Sequence, residues 1–416
     1  MKNAFGVVAL ALLAATAGSV PLNSQAPATG ATVYEGGRVI VGDGSAPLEN
    51  AAFVVEGSRI TQVGRAGQVK APAGATRVSL AGKTVMPAII DTHTHMGDRR
   101  EAVVDLLRRK AYFGVGAVLS LGTDPGDIAF KLRDERIPNG ARLLTAGRGI
   151  TMPEPGRSDV PYWVTTEAEA RKAVQELAAQ KADIVKIWVD DRNGKYKKLT
   201  PELYTAVIDE AHKHGLRVTV HAYYLDDAKG LLKAGVDAFA HGVRDAVADD
   251  EFMALVKQRP NFVLVPNLPD RGVAADVSWL ADHVSPDEFK KLQAGAAKDR
   301  PAAQKGFAIQ AQSLARMNAA GVTIALGTDG GIPWSHHFEM EDMVAAGMTP
   351  QQVIVAATAN AAAFLRLEDH GTIAMGKSAD FLVLDANPLD DITNTRRIAD
   401  VYLRGARVDR AAVRSR

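Results

Sequence analysis

A chain of 416 residues exceeds one typical core, so the sequence accommodates a large domain together with an accessory one. Lys plus Arg (49) nearly cancels Asp plus Glu (48), leaving a formal charge of +1 and no field to hold nucleic acid or an anionic membrane surface. The absence of cysteine excludes disulfides, a lipid-anchored amino terminus and Cys-ligated metal sites, and small neutral or weakly charged substrates are the expected partners.

In chain order, Lys2 precedes an apolar run from Phe5 through Ala17, followed by small residues and Pro21, and residues 1–26 read as a secretory signal peptide. Cleavage after Ala17 or Ala26 satisfies the small-residue rule. The run is shorter than the roughly 20 residues that span a bilayer, which makes a retained membrane helix the weaker reading. The mature protein is expected in the periplasm or outside the cell, and not in a membrane.

From Thr32 to Val63 short β-rich runs alternate with Gly-containing turns, a hairpin texture that returns between Gly371 and Asp409. A small β-sandwich is therefore expected from both chain ends, residues 31–86 and 371–412. Between them, residues 87–370 alternate apolar β-runs with amphipathic helices, the pattern of βαβ units around a parallel sheet. Candidate strands are Val85–Asp91, Ala117–Leu121, Leu143–Ala146, Ile184–Trp188, Arg217–Val220, Ala238–Ala240, Phe262–Val265 and Thr323–Leu326, the number that closes a (β/α)8 TIM barrel. Thr166 and Glu169 form a capping box for one helix, and Thr200 with Pro201 opens another that ends at Gly215. The Pro/Gly-rich stretch 147–161 is expected to be a long loop.

The first strand ends in Asp91-Thr92-His93-Thr94-His95, where period-two alternation points His93 and His95 the same way. A bare His-x-His is weak evidence. Its weight comes from recurrence: His221, His241 and Asp329 each close a separate predicted strand, and barrel active sites sit at that carboxyl-end face. His212, His214, His283 and His370 lie in polar surroundings and read as solvated. His336 and His337 follow Asp329 closely enough to be candidate substrate contacts.

Taken together, these residues resemble the amidohydrolase superfamily of metal-dependent hydrolases. The resemblance runs from about Val33 to Arg407 and is carried by the segment Val85 to His95, the strand-end His221 and His241, Leu326-Gly327-Thr328-Asp329, and Gly371-Thr372-Ile373 with Gly376-Lys377 and Ala379-Asp380. Ala346-Gly347-Met348-Thr349-Pro350 and Asn360-Ala361-Ala362 look like the imidazolonepropionase-like and Xaa-Pro dipeptidase (prolidase) branch. Such a resemblance implies two divalent ions, zinc first among them, and a CO2-derived carbamate on Lys186 that bridges them, since an unmodified ammonium has only donors. It implies one ion held by His93, His95, Lys186 and Asp329, the other by Lys186, His221 and His241. A hydroxide shared by the ions would attack an amide carbonyl, with Asp329 as general acid/base.

Tyr223, Trp188 and Arg244 follow His221, Lys186 and His241 closely and are candidate substrate contacts, Tyr223 also as a donor to the oxyanion. Arg244, Arg99, Arg148 and Arg157 are candidates for pairing a carboxylate, although loop arginines are mostly solvated. Two departures stand out. Similar dipeptidases carry a Gly-Gly-His-Gly-like segment where this chain has Ile150-Thr151-Met152-Pro153-Glu154-Pro155-Gly156, and Pro87-Ala88 replaces the usual Pro-Gly. The first weakens dipeptide cleavage, and export argues against histidine breakdown. The expected reaction is hydrolysis of an amide or peptide-type C–N bond in an N-acyl amino acid, a dipeptide or a similar small amide. An esterase, lactonase or carbamate hydrolase and a mononuclear deaminase-like enzyme are the alternatives. A homo-oligomer is the one macromolecular partner the resemblance allows.

Overall fold

The computed structural model describes residues 30–296 and 298–414, so the segment read as a signal peptide lies outside the described residues. Five strands come first: β1 (Ala31–Val39), β2 (Leu48–Glu56), β3 (Arg59–Arg65), β4 (Thr76–Ser79) and β5 (Thr84–Pro87). Ten follow in the middle: β6 (Ile89–Thr94), β7 (Val115–Ser120), β8 (Arg142–Thr145), β9 (Ile150–Thr151), β10 (Tyr162–Trp163), β11 (Val185–Val189), β12 (Val218–Ala222), β13 (Ala238–Ala240), β14 (Val263–Val265) and β15 (Thr323–Ile324). The last three are β16 (Phe381–Leu384), β17 (Ile398–Leu403) and β18 (Ala406–Arg407). Helices α1 (Arg100–Tyr112), α2 (Ile128–Arg133), α3 (Glu167–Ala179), α4 (Pro201–Lys213), α5 (Leu225–Ala234) and α6 (Asp250–Lys257) alternate with the middle strands.

β7 is apolar up to its last residue and buried at every position, as a strand covered on both faces must be. They pair in parallel as two sheets, β6-β7-β8 and β10-β9-β11-β12-β13-β14-β15. Backbone hydrogen bonds cross both seams: Thr92 N donates to Leu326 O (2.9 Å) and Thr328 N to His93 O (2.9 Å) on one side, Asp183 N to Thr145 O (3.0 Å) on the other. No continuous ladder closes the ring among the described residues.

Both chain ends contribute to a single eight-stranded sheet with the order β18-β17-β16-β5-β1-β2-β3, β4 also pairing with β1. Where two facing layers were expected, the hydrogen bonding is continuous. The reason lies in β1, whose irregularities between Glu35 and Val39 let one edge take β4 at Thr32 to Glu35 and β5 at Arg38 and Val39. A Cβ on Gly37 would stand 2.8 Å from Leu80 Cβ, so only glycine admits this approach. Tyr34, Phe53, Phe381 and Tyr402 stack in the core of the sheet, Tyr34 and Phe53 at 4.9 Å and Phe381 and Tyr402 at 4.6 Å between ring centroids.

Several sequence expectations shift. The single strand expected over Val85–Asp91 is two, because Met86 and Pro87 pair with β16 whereas Ile89 and Ile90 pair with β7. Pro87, lacking an amide hydrogen, marks the crossing between the sheets. The loop expected over 147–161 contains β9, which joins β11 through Ile150 and Ile187. Thr166 and Glu169 do form the reciprocal capping box of α3, at 3.2 and 3.1 Å. Thr200 occupies the N-cap of α4 without a capping side-chain bond, and Pro201 alone starts that helix. No helix among the described residues is long and apolar enough to cross a membrane.

Candidate metal centre

His93 lies within β6 and His95 one residue beyond it; Asp329 comes from the segment after β15. Asp329 Oδ1 stands 3.1 Å from His93 Nε2 and 3.0 Å from His95 Nε2, and these three side chains form a group able to hold a metal ion. His221, inside β12, and His241, just after β13, make a second pair with His221 Nδ1 2.6 Å from His241 Nε2. The His93 and His241 rings lie 6.4 Å apart and join the two groups. Lys186, on β11, is 1 % exposed, and no hydrogen bond to its amine occurs among the described residues. Its expected rivals for pairing are engaged elsewhere: Asp183 accepts from Thr145 N and Asp190 binds His221 and Arg192.

Each histidine has one ring nitrogen held by the protein, which frees the other. Asn267 Oδ1 takes His93 Nδ1 (2.8 Å), Thr123 Oγ1 engages His95 Nδ1 (3.0 Å), Asp190 Oδ2 takes His221 Nε2 (2.7 Å) and the Gly242 carbonyl faces His241 Nδ1 (3.3 Å). Acceptors at those positions place the hydrogens there and leave lone pairs on His93 Nε2, His221 Nδ1 and His241 Nε2. His93 Nε2 is buried with no hydrogen-bond partner, its approach to Asp329 being off the bonding direction. His221 Nδ1 and His241 Nε2 face one another at 2.6 Å, close enough to share a proton or to converge on one cation. The donor set of imidazoles and a carboxylate fits borderline divalent cations such as zinc.

The electrostatics agree. Burial would raise the Asp329 carboxyl, but the adjacent His93, the bond from His95 and the nearby His241 hold it far below the usual range, so it stays ionised. Burial pushes His221 down to about 4 despite Asp190, and lowers His93 and His241 as well, keeping the imidazoles neutral, as ligands must be. Burial also pushes Lys186 down to about 7 against the pull of Asp329. Three strand-end residues adopt left-handed backbone angles rare for side-chain-bearing residues: His241 (φ 89°), Asn267 (φ 42°) and Asp329 (φ 51°). Such strain collects where surrounding structure fixes a functional geometry.

His336 and His337 do not belong here. His336 Nε2 donates to the Phe113 carbonyl (2.9 Å), His337 Nδ1 bonds Thr395 Oγ1 (3.0 Å), and both rings are buried beside one another in a cluster that includes Trp279. The chain leaves Asp329 along α1 before the next helix starts, which carries the pair away from the His93–Asp329 group despite its closeness in sequence. Tyr223 is half-buried against Tyr224, ring centroids 4.8 Å apart, and its carbonyl holds the Arg244 amide at 2.9 Å. The sequence reading missed Asn267, Thr123 and Arg192, and took Asp190 only as a rival partner of Lys186. Each follows an apolar run at the carboxyl end of β14, β7 or β11, and that polar residue after an apolar strand was the available signal.

Trp188 stands beside Lys186, whose Nζ lies 5.4 Å from the indole centroid. A Cβ on Gly122 would come 2.6 Å from Trp188 Cη2, and one on Gly149 would enter the ring. Two missing side chains thus seat the indole. Gly149→Ala is expected to displace it, costing about 1–3 kcal/mol of stability by overpacking and shifting tryptophan fluorescence; unchanged emission and unfolding midpoint would show that the indole is not wedged there. The cavity of about 320 Å³ near Asp43, Asn318, Gln351 and Asn360 contains none of the candidate ligands.

Comparison with known proteins follows the same lines. The profile described as the amidohydrolase family matches residues 84–408. An imidazolonepropionase of Streptomyces avermitilis is 26 % identical over 399 residues, covering 88 % of this chain and 89 % of that one. An ochratoxinase of Aspergillus niger is 27 % identical over 419 residues, covering 87 % and 82 %. Among solved structures, a Xaa-Pro dipeptidase with methionine in its active site superimposes with a TM-score of 0.73 at 25 % identity, covering 91 % of this chain and 99 % of that one.

Proposed function

Because this chain belongs to the amidohydrolase family, and is thus a hydrolase acting on C–N bonds, we propose that it is an exported metal-dependent enzyme cleaving a small amide or peptide-type substrate. The observation that carries this reading is the set of four histidines, each with one nitrogen tied back and the other turned toward Asp329 or a fellow histidine. His93, His95 and Asp329 would hold one divalent cation, and His221 and His241 a second, with a carbamate on Lys186 between them. A buried amine lowered to about 7 exists partly unprotonated at neutral pH, the form that adds to CO2 with loss of one proton. Bound cations, zinc first among them, supply Lewis acidity and acidify water.

The chain's own groups do the rest. Asp329, ionised and aimed by two histidines, accepts the proton of the attacking water and passes it to the leaving nitrogen. Tyr223 offers a phenol to the oxyanion, and Trp188 walls the pocket next to Lys186. The two parallel sheets are taken as arcs of one (β/α)8 barrel spanning 87–370, supported by the backbone bonds across both seams. Residues 31–86 and 371–412 form the accessory β-sheet domain, residues 1–26 are the signal peptide, and the mature protein works in the periplasm or outside the cell, alone or as a homo-oligomer. Dipeptides and N-acyl amino acids are the favoured substrates, since one relative is named for Xaa-Pro dipeptides.

A mononuclear, deaminase-like centre is the second reading, favoured by the compactness of the group of His93, His95 and Asp329 alone. The test is a screen of N-acyl amino acids, dipeptides, aryl esters and lactones with zinc-loaded protein, counting metal per chain. Amide turnover with two ions is the expected result. One ion supports the mononuclear reading, and turnover of esters alone would remove the amide assignment.

A further inference from the structure

The arginines near the centre differ in how their charge is spent. Arg148 donates to the carbonyls of Val160 (2.5 Å), Pro161 (3.3 Å) and Asp159 (3.5 Å) and stacks 4.0 Å over the Tyr162 ring. Arg157 pairs with Glu154 at 2.8 Å. Arg192 is saturated by Asp190 (2.6 Å) and Glu154 (3.0 Å). Arg99 is exposed.

Arg244 is different. It is half-buried, and its Nε is out of contact with water and has no hydrogen-bond partner. Neither an ion pair nor a side-chain hydrogen bond to it occurs among the described residues. Its backbone is pinned, the amide donating to Tyr223 O at 2.9 Å three residues past His241. That bond ties the loop after His241 to the residue two past His221, which sets Arg244 between the two segments that carry the histidine pair. Only Nε is shut off from water, so the two terminal nitrogens stay open to an incoming anion. Planar forked donors match a carboxylate in two parallel bonds.

Resting on the hydrolase reading above, we propose that Arg244 docks a carboxylate of the substrate, so that the enzyme acts on anionic amides: N-acyl amino acids or dipeptides with a free carboxyl end. This role separates Arg244 from Arg192, whose two carboxylate partners keep it with the protein. It also explains why a chain of almost zero net charge needs no general positive field to select an acidic substrate.

The experiment compares N-acyl amino acids with their C-terminal carboxamides, which differ only in that charge. With zinc-loaded wild type, kcat/KM for the acid should exceed that for the carboxamide by about 100-fold or more. In Arg244→Met the ratio should collapse to within about threefold of one, and Arg244→Lys should keep part of it, having charge without the fork. Wild type indifferent to the carboxylate, or Arg244→Met retaining the preference, overturns the proposal. Equilibrium binding of the same N-acyl amino acids to metal-stripped protein separates this from the hydrolase reading. If neither compound is hydrolysed, that reading fails. Acid binding weakened about tenfold in Arg244→Met still supports the carboxylate site, and equal binding by both proteins overturns it.

Discussion

Asp329→Asn should give a folded protein that takes up metal but turns substrate over on the order of a thousandfold more slowly. Asparagine matches the shape of the side chain and tolerates the left-handed backbone at this position (φ 51°), so the segment after β15 keeps its path. It can still offer an oxygen where Asp329 Oδ1 meets His93 and His95 at 3.1 and 3.0 Å. What it lacks is a basic oxygen to take a proton and return it. Because that loss is felt only as the reaction proceeds, kcat and kcat/KM should fall together with KM little changed. Metal content measured beside steady-state kinetics checks this, and near wild-type turnover would strip Asp329 of its proposed role.

A large effect on stability is expected at Asp91. Lys110 and Asp91 form an ion pair at 2.7 Å in which neither side chain is exposed. Asp91 also accepts from His93 N (3.3 Å), Thr328 N (3.1 Å) and Thr328 Oγ1 (2.8 Å), tying α1, β6 and the residue before Asp329 to one carboxylate. Asp91→Ala strands the Lys110 ammonium in the interior and should cost roughly 3–5 kcal/mol. Removing both charges, as in Asp91→Leu with Lys110→Met, should cost far less, because no lone charge is left behind. Urea unfolding of the metal-free proteins distinguishes these outcomes. A single variant within about 1 kcal/mol of wild type, or a double variant no better than the single, would show that the pair does not hold this corner together.

The legibility of the sequence followed the range of the interactions. His93 and His95 were readable because alternation along one strand is local, and His221, His241 and Asp329 because each ends an apolar run. The α3 capping box was readable because Thr166 and Glu169 are three residues apart. What escaped depended on contacts between distant segments. Asn267 reaches His93 across 174 positions of chain, and nothing near Asn267 signals that partner. His336 and His337 misled for the converse reason, as nearness to Asp329 along the chain did not survive the path taken beside α1. Asp190 was visible but misassigned: its carboxylate went to an imidazole 31 residues on, in the next strand, not to the lysine four residues before it.

The sheet built from both chain ends also constrains how the molecule is made. β5 runs directly into β6, yet its open edge is paired only by β16, nearly 300 residues later. While the intervening chain is still being synthesised, that apolar edge has backbone groups with no neighbour and is exposed to pairing with other chains. The middle segment can collapse early, but the strand that leads into His93 is not braced until the final stretch arrives. Assembly is therefore bound to proceed from the centre outward, with the first-made strands waiting for the last.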